Sequence, residues 1–155
     1  MRRWIIYAVI LGMSAMLNVT GFVGTDVGKL LPVQAVRVTK AGNMVIMQTD
    51  TGDIGIGTNP VKALGDMQDS AAGNLFLETA DYLILQPGCE EVLPELAEIL
   101  RPSCKVCTED GETDPEAAAE YLAVHEPAMT LRDWLGGERN IPTLMVREGR
   151  MELAS

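Results

Sequence analysis

The sequence predicts an α+β fold: a small mixed β-sheet with helices packed on one side, preceded by an N-terminal transmembrane helix. Three observations carry this prediction. Apolar residues alternate at period two through several short stretches after residue 32. They recur at helical spacing in later stretches. At the amino end they run from Trp4 to Gly24, interrupted only by Ser14, Asn18 and Thr20. The expected organisation is an anchor or signal segment, residues 1–25, and a single extracytoplasmic domain, residues 26–155.

The amino-terminal run is long enough to cross a bilayer, which takes about 20 apolar residues. Arg2 and Arg3 precede it, and a basic flank stays in the cytoplasm, so the remainder is expected outside. An uncleaved anchor is favoured over a cleaved signal peptide, because the small-residue motif available, Val19-Thr20-Gly21, is a poor cleavage site. The expected location is therefore the cell membrane, in single-pass form, with residues 4–24 in the lipid.

Asp26 to Leu31 forms a polar-to-apolar lead, and Pro32 opens a strand. Residues 33–39 and 44–49 predict a hairpin: Val36 and Val38 share one face, as do Val45 and Met47, and Lys40-Ala41-Gly42-Asn43 supplies the turn. Asp50-Thr51-Gly52 turns the chain again. In the next strand Ile54 and Ile56 alternate with Asp53 and Gly55, the period of a half-buried strand.

Asn59 followed by Pro60 starts a helix, since Asn caps and Pro fits the first turn. Leu64, Met67 and Ala71 form its apolar stripe, and Gly73 is placed to end it in a left-handed conformation. Tyr82 to Leu85 is an unbroken apolar run, the pattern of a central strand covered on both faces. A second helix carries Leu93, Leu96, Ala97 and Leu100, begins at Pro94 and stops before Pro102. Cys104 to Thr108 reads as a strand. Asp114-Pro115 opens a third helix with Ala118, Tyr121 and Leu122 inward. Thr130 with Asp133 is a variant capping box for a short helix ended by Gly136-Gly137. Residues 143–147 and 150–153 close the domain as a hairpin.

Charge narrows the partners. The chain carries a net charge of −10, and the segment before Asp26 contributes only Arg2 and Arg3, which leaves the remainder at −12. A body of that sign repels nucleic acid and anionic lipid headgroups. Hydrophobic residues make up 47% of the chain but aromatics only 5%, so nine Met and many small aliphatics fill the interior.

The candidate thiols are Cys89, Cys104 and Cys107. An odd count leaves at least one sulfur free or paired with another chain. Cys104 and Cys107 form a CxxC, but a redox pair needs its first Cys at a helix amino terminus. On a strand, residues three apart face opposite sides and sit about 10 Å apart, beyond disulfide reach. Cys89 could bridge to either of them if the second helix folds back. Three Cys and a distant His125 make a weak zinc set. Gly55-x-Gly57 lacks the third glycine of a dinucleotide loop, and turn geometry with capping accounts for Gly57, Asn59 and Pro60. The acidic run Glu109, Asp110, Glu112, Asp114 and Glu116 fits no EF-hand spacing, and Asp114 is better read as a helix cap. No catalytic motif is found, so no catalytic residue, metal ligand or cofactor is assigned.

Val36 to Leu85 resembles the first domain of the Ger(x)C-type spore germination proteins, the membrane-attached C subunits of germinant receptors in endospore-forming Firmicutes. The resemblance rests on the hairpin, on Gly57-Thr58-Asn59-Pro60-Val61-Lys62-Ala63-Leu64, on Leu75-Phe76-Leu77, and on Tyr82-Leu83-Ile84-Leu85. Ile141-Pro142-Thr143-Leu144-Met145-Val146 is similar to a further strand of that family. The lipid-bearing Cys usual there is absent after the apolar run. The resemblance implies a non-enzymatic, membrane-tethered extracytoplasmic module that assembles with an integral membrane protein. The alternative from the residues themselves is an extracytoplasmic CxxC thiol protein, redox-active or metal-binding.

Overall fold

The computed structural model describes residues 30–147 and 149–154. The expected anchor, residues 4–24, lies outside the described residues, as does the lead from Asp26 to Lys29. No helix among the described residues is long and apolar enough to cross a membrane.

The described residues form nine strands and four helices in the order β1 (Leu30–Pro32), β2 (Ala35–Ala41), β3 (Met44–Thr49), β4 (Ile54–Gly57), α1 (Pro60–Ser70), β5 (Asn74–Phe76), β6 (Tyr82–Leu85), α2 (Leu93–Leu96), β7 (Lys105–Asp110), α3 (Pro115–Val124), α4 (Leu131–Leu135), β8 (Thr143–Arg147) and β9 (Arg150–Ala154). Seven strands make one mixed sheet in the order β4-β3-β2-β6-β7-β8-β9. The four strands from β2 to β8 run parallel, and an antiparallel pair or hairpin closes each end. β1 pairs with β5 in a separate parallel ribbon that leads into β2 and β6.

The α+β class, the hairpin, the three-strand meander and the central strand match the sequence reading. β6 is buried at every position, flanked by parallel β2 and β7. The β2–β3 turn places Gly42 at φ 62°, a conformation in which an L side chain is strained.

The one-sided layer of helices is corrected by the structure. Alternate residues of the central strands feed two cores. One holds Val36, Val38, Val45, Met47, Leu83, Leu85 and Val106 beneath Ala63 and Met67 of α1 and Leu93 and Leu96 of α2. The other holds Ala35, Tyr82, Ile84, Cys107 and Leu144 beneath Ala118, Ala119 and Leu122 of α3. A parallel strand that is apolar at consecutive positions exposes both faces unless helices cover both.

Local expectations shift for identifiable reasons. α1 starts as expected, with the Asn59 side chain accepting from the Lys62 N–H at 2.9 Å. Its deepest residues are Ala63 and Met67, with Leu64 only half-buried. It ends at Ser70 because Ala71 turns extended, so Gly73 is not its left-handed terminator. The second helix keeps one α-helical turn, preceded by a 3-10 turn at Glu90–Val92. The capping box at Thr130 and Asp133 forms in both directions, and Thr130's hydroxyl and N–H hold the Asp133 carboxyl below its ordinary pKa.

Candidate functional site

Among the described residues, the face of the sheet that carries α3 is only partly covered. Register fixes which side chains share it. Across one level run Ile54, Gln48, Arg37, Ile84 and Cys107. One step nearer the carboxyl ends of the parallel strands run Ile56, Ile46, Thr39, Gln86 and Glu109. α3 packs over β2, β3 and β6, shielding Ala35, Ile84 and Cys107, and leaves β4 and the carboxyl-end rim of the face open. The result is a cleft of about 370 Å³ lined by Arg37, Thr39, Ile46, Gln48, Gln86 and Glu112. A second hollow of about 340 Å³ shares Arg37, Gln86 and Glu112 and reaches Glu109 and Asp110. Crevices outside the carboxyl ends of parallel strands are where open sheets bind ligands.

The floor holds a charge pair that the packing alone does not require. Arg37 Nε donates to both Glu109 oxygens at 3.0 and 2.9 Å, and Nη2 donates to Oε1 at 2.8 Å. The Glu109 side chain is 2% exposed and that of Arg37 14%. Burying such a pair costs desolvation that its attraction only partly returns, so a buried pair is weak evidence for stability. Gln86 is held in place, its side-chain oxygen accepting from the Lys40 N–H at 3.0 Å. Lys40 itself pairs with Glu91. With Arg37 and Lys40 both matched, Asp110 and Glu112 are left as the cleft's uncompensated charges, and both are exposed.

The strand beside the cleft is inverted relative to its hydropathy. Gly55 and Gly57 face the first core, whereas Ile54 and Ile56 face outward at 50% and 47% exposure. The cause is the closeness of α1. A Cβ on Gly55 would lie 2.0 Å from the Ala63 carbonyl oxygen, and one on Gly57 would lie 2.3 Å from the Ala63 nitrogen. Only glycine admits the helix there, which gives the Gly-x-Gly a packing role in place of the expected turn role.

The three thiols do not converge. Cys104 and Cys107 lie on β7 or just before it, in different cores on opposite faces, as strand geometry requires. Burial pushes both thiols up to about 12. Cys89 follows the carboxyl end of β6, whereas Cys104 precedes the amino end of β7, so the two stand at opposite ends of the sheet. All three are free and buried, and burial raises the Cys89 pKa as well.

The acidic run disperses: Glu109 pairs with Arg37, and Asp114 caps α3 through the Ala117 N–H at 3.3 Å. No group of three or more His, Cys, Asp or Glu side chains suited to a metal occurs among the described residues. His125 caps the far end of α3, with its ring centroid 4.5 Å from that of Tyr121.

Sequence reasoning passed over Arg37, Gln48 and Gln86. The usable signal was Arg37 between Val36 and Val38: a cation inside a central strand needs a buried anion near it. Comparison of the chain with family models, curated proteins and solved structures finds no match.

Proposed function

We propose that this chain is a membrane-anchored, extracytoplasmic, non-enzymatic interaction module, related to the spore germination receptor components that its Val36–Leu85 segment resembles. Residues 4–24 serve as the tether, and the partner is an integral membrane protein of the same membrane. The observation that carries the reading is the placement of the open face. The tether would join the body at Leu30, at the start of the ribbon leading into the amino ends of the parallel strands. The Arg37–Gln86–Glu112 cleft opens toward their carboxyl ends and begins at Arg37, at most roughly 23 Å further along at about 3.3 Å per residue. A tether at one pole thus leaves the recognition surface at the other. The alternative, a CxxC redox or metal protein, has against it three separated, buried thiols, two of them with pKa near 12.

Alkaline extraction of membranes, with proteinase K added to intact protoplasts, tests the reading. The full chain should stay with the membrane after extraction, and the added protease should degrade its body. A body that is protected, or that appears in the soluble cytosolic fraction, overturns it.

A further inference from the structure

We infer that the uncovered sheet face, from the β4 isoleucines to the Glu112 lip of the cleft, is the seat for an amphipathic helix that is apolar on one side and basic on the other. The inference rests on the interaction-module reading and names the partner's chemistry.

The face is apolar where a monomer has no use for it. Ile54, Ile56 and Met44 are among the most exposed large hydrophobics of the described residues, and Ile46 stands beside Ile56 on the neighbouring strand. Contiguous apolar exposure of this kind marks an interaction surface. Width selects the occupant. α3 packs over β2, β3 and β6, and a second helix packed about 8–10 Å from it would lie over β4, two inter-strand gaps or roughly 10 Å from β2. On the other face α1 and α2 share the layer, whereas here α3 is the single helix among the described residues. A strand added at the sheet edge is a poorer fit. The backbone N–H of Ile56 points outward from β4 and is already bound by the Asp66 carboxylate at 2.9 Å. Charge selects the partner's sign. Arg37 and Lys40 are matched, and Asp110 and Glu112 remain, so cations are drawn to the lip of the patch. A second copy brings the same excess of negative charge and is disfavoured.

A photoreactive 18-residue Leu–Lys helix irradiated with the full chain in neutral-lipid nanodiscs tests the assignment, with empty nanodiscs as background. Adducts should fall on residues 44–57 and 109–112. Their yield should drop at least tenfold in Ile54→Ser/Ile56→Ser and several-fold in Glu112→Gln. It should hold in Val124→Ser, whose side chain is exposed on α3 away from the cleft. A Leu–Glu helix of equal length should label the chain at background. Equal labelling by both helices, adducts confined to α3, labelling unchanged in the isoleucine variant, or chain-to-chain adducts across this face would each overturn the inference. Extraction and protease accessibility are read independently, so loss of the helix seat and loss of the tether are separable results.

Discussion

Gly55 lies directly against Ala63: a methyl group on the glycine would sit 2.0 Å from the alanine's carbonyl oxygen. The strand and the helix meet backbone to backbone, and the Met67 side chain fills the space beside them. Overpacking a tight core site typically costs 1–3 kcal/mol and sometimes more. Gly55→Ala should therefore destabilise by about 3 kcal/mol or prevent folding. Gly65, within α1, has nothing within 4 Å of its virtual Cβ, and Gly65→Ala should stabilise by about 0.5–1 kcal/mol. Urea unfolding of the two variants gives opposite signs if the packing is as described.

Removing one partner of the buried ion pair should cost more than removing both. Arg37→Met leaves Glu109 buried without its cation and should destabilise by about 3–5 kcal/mol. Arg37→Met/Glu109→Met should recover most of that loss. A double-mutant cycle by chemical denaturation checks it, and additive losses would contradict the pairing.

The thiols set an alkaline limit. Below about pH 9 both folded and unfolded chains keep Cys104 and Cys107 protonated, and stability is unaffected by them. Between pH 9 and about 12 the unfolded chain releases these protons and the folded chain does not. Stability should fall there by roughly 1 kcal/mol per pH unit for each thiol. Cys107→Ala should flatten the slope. In the native state at pH 8 a thiol reagent should label neither residue, and unfolding should expose both.

Thr113 is 2% exposed, and its hydroxyl has no hydrogen-bond partner among the described residues. An unpaired buried hydroxyl costs about 1–3 kcal/mol. Thr113→Val keeps the shape and removes the polar atom, so it should raise stability by about 1–2 kcal/mol in the same denaturation assay.

The sequence carried much of the sheet. The β2–β3 hairpin, the buried β6, the β8–β9 hairpin and the Asn59, Asp114 and Thr130 caps are set by local periodicity and local hydrogen bonds, which a linear reading sees. β4 was legible as a strand but not in its facing. Hydropathy points Ile54 and Ile56 inward, whereas the following helix, through Ala63, decides that only glycine fits there. The second layer of helices escaped for a similar reason, because each helix alone shows an apolar stripe but not which face of the sheet it meets. The cleft was legible least. Arg37 and Glu109 stand 72 residues apart, and only the pairing of β2, β6 and β7 brings them together.

The ribbon of β1 and β5 bears on how the body would respond to tension. A pull applied at Leu30 loads the parallel β1–β5 pairing first and then β2, which is parallel to β6. Such a force strains many backbone bonds side by side and does not unzip them singly. On the proposed tether, a load entering at the amino end would meet these pairings before it reached the Arg37 face.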